Sequence, residues 1–501
     1  MLVSFLSVGV LAMSFANQLI IAQTFGASQA LDGYLLASSV PLLVNGAFGG
    51  VFAYAMVPAL SRHSSEPAAR SRLFGAFFWT FALLAAGLAC VGWGIAPLGV
   101  GLLSAGAMPS ELPLLIRLNR LGWAVTALGV GVGFSTAVLN VQGMFLLPVL
   151  LSLLPYLTSA IAVLVYGRDV GIEALAMGLL IGTALSAVLL AIIAYHFLNL
   201  RGVARSDFAA VLRFAASAPL ALLSVLTFSA FQSIDSYWAP QLGPSNLSVL
   251  GYCQRLFIAI GTVISAGPSV ILQPRLAAAS ARGDDGTFLR DLGRGLRLTV
   301  LVCAPVALWL AWLAGPVVRV AFERGVFDRS ATLAVASVLP FMLFSMIPAM
   351  CTVLLFKALY AREDLATAVM LGITGPVLYF TASGVLLRFG LAGIGAAYAL
   401  TWTTIAVLGT VRVWRPVGVS YSTRQFAGEL LQLIAAAGVA ALVSGRLLAS
   451  WKVDPIGVVF VKLVGAGVLT VVICAVVAVR IARIEDLRHL FFSVVRRSNT
   501  G

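Results

Sequence analysis

The feature that most constrains this chain is a succession of apolar runs, each close to the length of a bilayer-spanning helix. They fall at 2–23, 33–60, 73–100, 114–139, 144–166, 172–198, 211–232, 247–273, 298–318, 331–356, 366–387, 391–411, 425–445 and 456–479, fourteen in all. About 20 apolar residues cross a hydrocarbon core about 30 Å thick. The expected fold class is therefore an all-α polytopic membrane protein with about fourteen transmembrane helices. Composition agrees: charged residues make up only 10% of the chain and mean hydropathy is +1.04. A soluble domain carries about 25% charged residues, and a disordered chain needs low hydrophobicity, so both classes are excluded.

Thirty-two Lys+Arg against 18 Asp+Glu give a net charge of +14. In a soluble protein that excess would suggest nucleic acid. Here the charges sit in loops between spans, where basic residues stay in the cytoplasm and face anionic lipid. With the N-terminus inside, 21 of the basic residues fall in inside segments, ten outside, and Arg255 within a span. That bias places both termini in the cytoplasm, and no nucleic-acid partner is expected. The first run lacks a basic leader and a small-residue cleavage site, so it reads as a retained helix.

Cys90, Cys253, Cys303, Cys351 and Cys474 all lie in apolar stretches without C-x-x-C spacing, which argues against a disulfide framework or a zinc site. His63, His196 and His489 are scattered near span ends. No metal site, catalytic cluster or cofactor motif is expected. The longest loop, 274–297, alternates Arg and Asp and reads as an interfacial helix. No segment is long enough for a soluble catalytic domain.

An internal repeat organises the spans. Asp32-Gly33-Tyr34 leads through an apolar stretch to Pro58-Ala59-Leu60, and Asp235-Ser236-Tyr237 leads through another to Pro274-Arg275-Leu276. Both copies run in the same direction, at the second and eighth spans, as in transporters built from two parallel halves. The expected division is an N-lobe over 1–200, a C-lobe over 201–415, and two added spans with a tail over 416–501. The run 33–60 is punctuated by Pro41, Gly46, Gly49 and Gly50, and the run 247–273 by Gly267-Pro268. Bends are expected in both.

Few side chains in the spans can carry chemistry. Arg255, about two turns into the eighth span, cannot shed its proton and costs about 3 kcal/mol at the bilayer centre. It reads as facing a hydrated cavity, where its planar fork suits phosphate oxygens, or as snorkelling to the outer interface. Asp32 and Asp235 each start a span, either as helix caps or as gating or ion-coupling acids, the second role favoured for Asp235 by the Arg255 of the neighbouring span. Arg117 and Arg120 share one face of the fourth span, as interfacial anchors or as a second phosphate-attracting pair. Asn17 and Gln18 lie deep in the first span and either line a cavity or join helices. Asn140 and Gln142 precede Gly143 at an inside turn. Glu323-Arg324 and Asp328-Arg329 flank Gly325 in an outside turn, matched inside by Lys357, Arg362, Glu363 and Asp364.

The segments Tyr252–Leu256, Pro274–Leu276, Phe322–Phe327, Leu359–Asp364 and Phe25–Ser28, read with Asp32 and Val57-Pro58, together resemble the MurJ/MviN lipid II flippase family, within the wider superfamily of polysaccharide exporters. Tyr252-Cys253-Gln254-Arg255-Leu256 followed by Pro274-Arg275-Leu276 is similar to its Y-A-D-R-L … L-P-x-L-S pattern. Phe322-Glu323-Arg324-Gly325-Val326-Phe327 resembles F-x-R-G-x-F, and Leu359-Tyr360-Ala361-Arg362-Glu363-Asp364 resembles F-Y-A-x-x-D. Phe25-Gly26-Ala27-Ser28, Asp32 and Val57-Pro58 resemble F-G-A … D-A-F … V-P. The resemblance implies two six-helix lobes around a cationic cavity, a lateral groove made by spans thirteen and fourteen, and alternating access for an undecaprenyl-pyrophosphate-linked saccharide. Arg255 matches an arginine of that cavity, and Asp32 and Asp235 match family acids.

This chain departs from the pattern at Asn17-Gln18, where the family has an Arg-Asp pair. Val44-Asn45 replaces arginines, Gly49-Gly50-Val51-Phe52 stands for E-G-A-F, and Gln254 replaces an acid. Substrate-binding candidates are therefore Arg255, Asn17, Gln18, Arg117 and Arg120. The leading expectation is a flippase for a lipid II-like peptidoglycan precursor, working without a cofactor and driven by the membrane potential or a cation. A lipid-linked exopolysaccharide or O-antigen unit is the alternative cargo. A cation-coupled drug exporter ranks below these, and a membrane glycosyltransferase last. Partners would be the lipid-linked saccharide, membrane lipid, and cell-wall or polysaccharide synthesis enzymes, in a bacterial inner membrane.

Overall fold

The computed structural model describes residues 2–51, 67–103, 111–200, 230–414 and 454–481, with isolated positions between 202 and 223 and between 434 and 446. Their regular structure is helical. In chain order the helices are α1 (Leu2–Phe25), α2 (Gln29–Val51), α3 (Pro67–Leu103), α4 (Leu112–Val141), α5 (Leu146–Leu151), α6 (Leu154–Tyr166) and α7 (Glu173–Tyr195). There follow α8 (Phe231–Trp238), α9 (Asn246–Ala281), α10 (Asp285–Trp312), α11 (Ala314–Phe322), α12 (Arg329–Phe344) and α13 (Met346–Ala361). The last are α14 (Leu365–Leu386), α15 (Gly390–Trp414) and α16 (Ile456–Ile481). Among the described residues seven segments are long and apolar enough to cross a membrane, and α12 with α13 forms an eighth, bent by 43°. One of the seven, Leu365–Trp414, contains both α14 and α15. The predicted runs 211–232 and 425–445 lie mostly outside the described residues, and the Val57-Pro58 and Pro58-Ala59-Leu60 motifs wholly outside them.

Many large apolar residues on these helices are exposed, among them Leu83, Leu98 and Leu102 on α3 and Ile181, Val188 and Ile192 on α7. Water would not tolerate so continuous an apolar surface, whereas lipid does. Packing without a hydrophobic driving force relies on small residues and interhelical hydrogen bonds. The α6–α7 pair shows both: Gly178 and Gly182 lie against the backbone of Ser159 and Pro155, and the Thr158 hydroxyl donates to the Gly178 carbonyl at 2.7 Å.

The chain forms two compact units. One comprises Met1–Tyr252, Phe322–Ala331 and Leu365–Ile394; the other comprises Cys253–Ala321, Thr332–Asp364 and Gly395–Gly501. The first has an aromatic core in which Phe74, Phe77, Phe81 and Phe134 pack with Val130 and Val138. In the second, Trp309 of α10 lies against Gly467 of α16, and an apolar groove runs between these helices, lined by Pro305, Val306, Val464 and Val468.

The segment 274–297 differs from its expectation. It is no separate interfacial helix but the ends of α9 and α10, joined by a tight turn. Gly283 adopts φ +66°, its N–H bonds to the Ser280 carbonyl, and the Asp284 N–H to that of Ala279. This αL closure satisfies the last carbonyls of α9. The Asp284 side chain then accepts from the Thr287 N–H at 2.9 Å and caps α10. Alternating charges thus mark two helix ends. The expected turn at Asn140, Gln142 and Gly143 has the same closure, with Gly143 at φ +79°. A third such turn ends α13, where Glu363 takes the αL position at φ +56°.

Candidate functional site

Asp32 sits in the first turn of α2 without capping that helix; Ser28 precedes it, its hydroxyl accepting from the Leu31 N–H at 3.4 Å. The Asp32 carboxylate instead accepts from the Ser248 backbone N–H at 2.6 Å. Ser248 is the third residue of α9, so the buried acid serves the orphan N–H groups and positive dipole end of a different helix. Two further contacts surround this point. The Tyr252 hydroxyl donates to the Gly26 carbonyl at 2.8 Å, and the Val326 N–H donates to the Gln23 carbonyl at 3.0 Å.

The F-x-R-G-x-F stretch owes its glycine to this docking. Gly325 has φ +59°, and a Cβ there would meet the Gln23 carbonyl oxygen at 2.4 Å. Phe322 and Phe327 pack on Tyr252, with ring centroids 5.0 and 5.1 Å away. The expected solvated turn at Glu323-Arg324 and Asp328-Arg329 is thus anchored by its two phenylalanines. Asp328 caps α12, accepting from the Ala331 N–H at 2.8 Å, and these donors hold its carboxyl below the usual carboxylate range.

Asp235 does not begin a spanning helix as the repeat suggested. It lies within the short helix α8, which a 3-10 turn at Ala239–Leu242 separates from α9. It is 1% exposed and accepts a short hydrogen bond from the Tyr379 hydroxyl of α14, itself fully buried. Tyr379 escaped the sequence reading, because nothing marks one tyrosine in an apolar run as the partner of an acid 144 residues away.

Arg255 lies on α9, half-buried, nine residues after its start. Asn17 and Gln18 are buried on α1, and the Asn17 Oδ1 has no hydrogen-bond partner among the described residues. Arg117 is largely exposed on α4 and pairs with Glu173 of α7 at 3.2 Å. Arg120 stacks on Trp93, its guanidinium carbon 4.9 Å from the ring centroid. Asp32 and Asp235 belong to the first compact unit with Asn17, Gln18, Arg117 and Arg120, and Arg255 belongs to the second. In the turn after α13, Arg362 joins three helices: it pairs with Asp285 at 2.6 Å, lies 4.2 Å over the Phe288 ring, and reaches the Val413 carbonyl at 3.4 Å.

Long apolar helices, small-residue packing and buried acids tied to distant helices define the class, a polytopic membrane transporter. The fold is shared with a solved structure of the lipid II flippase MurJ in an inward closed conformation, at a TM-score of 0.79 over 96% of this chain and 99% of that one, with 18% identity. It is also similar to an inward-facing multidrug MATE transporter, at a TM-score of 0.69 over 82% of this chain and 96% of that one, with 13% identity. The chain belongs to the lipid II flippase MurJ family, whose model matches residues 21–487. Similar relatives include the lipid II flippase MurJ of Burkholderia cenocepacia, 26% identical over 72% of each chain. The probable lipid II flippase MurJ of Vibrio cholerae is 24% identical over 95% of this chain and 94% of its own.

Proposed function

We propose that this protein is a flippase that moves an undecaprenyl-pyrophosphate-linked saccharide of the lipid II type from the inner to the outer leaflet of the bacterial cytoplasmic membrane. Family membership across residues 21–487 carries this reading. The work is transport, with no bond made or broken. Arg255 would hold the pyrophosphate, since a guanidinium fork binds two oxygens at once. Asn17 and Gln18 would offer amide hydrogen bonds to the headgroup, with Arg117 and Arg120 attracting it electrostatically. The apolar groove between α10 and α16 suits the prenyl tail.

Alternating access would turn on contacts that can open and close. Asp32 on the α9 N-terminus is suited to that task, because its bond joins two helices far apart in sequence. Asp235 is the coupling candidate: a buried carboxylate that accepts from a phenol can take a proton or a cation in its place. The basic-residue bias supports cytoplasmic termini. The test is rescue of a strain depleted of its own lipid II flippase, with a flipping assay presenting lipid II and a lipid-linked polysaccharide repeat unit in parallel. Rescue and lipid II transport are expected. Transport of the repeat unit alone would transfer the function to polysaccharide export, the cargo favoured by the uncharged Asn17 and Gln18.

A further inference from the structure

Pro41 stands inside α2. A proline there has no N–H to give the carbonyl four residues earlier, and its ring pushes on that turn. The carbonyl left over is that of Ala37, which is fully buried. Asn119 of α4, 3% exposed, donates its Nδ2 to that carbonyl at 2.6 Å. One turn on, Gly122 faces the proline ring, where a Cβ would lie 3.1 Å from its Cγ. One turn further, the Thr126 hydroxyl donates to the Pro41 carbonyl at 2.9 Å. Gly129 completes the row, since its Cβ would lie 2.4 Å from the Asn45 Oδ1. Positions 119, 122, 126 and 129 fall on one face of α4, so this face is a mould for the proline turn of α2.

Both halves of α2 are bonded to α4, through Asn119 before the proline and Thr126 at it, but the first half has two further partners. Before Pro41, Asp32 caps α9 and the Ser39 carbonyl accepts from the Ser233 hydroxyl of α8 at 3.1 Å. From Pro41 onward, the Thr126 hydrogen bond and the close approaches of Gly122 and Gly129 are to α4. Without the Asn119 bond such a helix can bend at Pro41, its first half held by the α8 and α9 bonds while its second half stays seated on α4.

We propose that Asn119 is a positioning residue for transport: it holds the Pro41 hinge of α2, and through it the Asp32 latch on α9. The proposal rests on the alternating-access reading, and its test uses no cargo. The variants are Asn119→Leu, Pro41→Ala and the double variant, in full-length protein in lipid nanodiscs. The first readout is the thermal midpoint. The second is the maleimide labelling rate of Ser248→Cys, corrected for the same variant with Ser248 retained.

Asn119→Leu is expected to lower the midpoint, and Pro41→Ala to restore it, because an alanine N–H can serve the Ala37 carbonyl. Labelling is expected to rise about fivefold or more in Asn119→Leu, the factor equivalent to one buried hydrogen bond of about 1 kcal/mol, and to return toward the wild-type rate in the double variant, where the hinge is gone. If Asn119→Leu alone yields no folded protein, its recovery in the Pro41→Ala background is the rescue. An unchanged midpoint in Asn119→Leu, a loss that Pro41→Ala does not repair, or wild-type labelling in a folded Asn119→Leu would each overturn the proposal. The last outcome would reduce Asn119 to a carbonyl partner with no hold on the latch. Failure of the lipid cargo assignment would leave both readouts intact.

Discussion

Asp32 and Ser248 stand 216 residues apart in sequence, yet the carboxylate of one accepts the backbone N–H of the other at 2.6 Å. The contact turns a helix start into a clasp between helices. Its energy has two sources: a charge-assisted hydrogen bond and the favourable placement of a negative charge at a helix N-terminus.

The first prediction follows from those two sources. Asp32→Asn keeps an acceptor oxygen and loses the charge, whereas Asp32→Ala leaves the buried N–H groups of α9 without their side-chain partner. Alanine should cost about 1–3 kcal/mol and asparagine clearly less. Thermal unfolding in detergent measures both. Equal losses would mean that charge alone matters; no loss in either would mean that water serves α9 equally well.

How much of this was legible in the sequence depends on the range of the interaction. Apolar runs, the Gly143 turn and the family motifs were readable because they are local. Asp32 was recognisable as a cap or a working acid, but not as the cap of a helix far along the chain. The alternating Arg and Asp at 275–297 misled, because charges that end two helices look like those of one helix lying on the membrane. Tyr379 and Asn119 stayed hidden among apolar neighbours. For Asn119 a signal existed: Pro41 within a span demands a donor from elsewhere, and a buried amide is the natural supplier.

Asp235 and Tyr379 separate a structural role from a coupling role. Tyr379→Phe removes the phenol that donates to a buried carboxylate. Asp235→Asn keeps an acceptor and removes the charge. The expected order of stability loss is Tyr379→Phe first, at about 1–3 kcal/mol, and Asp235→Asn near neutral. If Asp235 couples transport to an ion, Asp235→Asn should nevertheless abolish flipping at normal protein level. Full flipping by a stable Asp235→Asn would leave the pair a structural element only.

Glu363 occupies the αL position that Gly143 and Gly283 fill in the two equivalent turns. A non-glycine residue there carries a penalty of about 1–2 kcal/mol, and Glu363 is exposed. Glu363→Gly should therefore raise the thermal midpoint, whereas Gly283→Ala should lower it. A lower midpoint for Glu363→Gly would show that the glutamate makes a contact worth more than the backbone strain.

The caps at Asp284 and Asp328 set an acid limit. Hydrogen bonds from Thr287 to Asp284, and from Ala331 and Ser330 to Asp328, lower both carboxyl pKa values below the usual range. A depressed folded-state pKa gives stability that is present above the unfolded value, about 3.9, and lost as pH falls through the folded value. Stability should thus be insensitive to these groups from neutral pH down to about 5, then decline. Asp284→Asn and Asp328→Asn should each flatten that decline. A change confined to pH 6–8 would assign the dependence to other groups.

Arg255 provides the sharpest test of cargo recognition. It is half-buried on α9, and a guanidinium cannot shed its proton there. With no arginine at Asn17, Gln18, Val44 or Asn45, more of the headgroup's charge would fall to this one side chain. Arg255→Ala should abolish flipping with protein level unchanged. Arg255→Lys should retain part of it, because an ammonium is a point charge and cannot bind two oxygens as a fork. A hydrogen bond to a charged group contributes about 1.5–3 kcal/mol, so loss of one arm should slow transport about tenfold or more. The measurement is initial flipping rate in proteoliposomes at several salt concentrations, since a phosphate contact weakens with added salt while a residue anchoring the helix at the interface leaves the rate salt-independent. Wild-type rates from Arg255→Ala would show that Arg255 anchors α9 and that the cargo is held elsewhere.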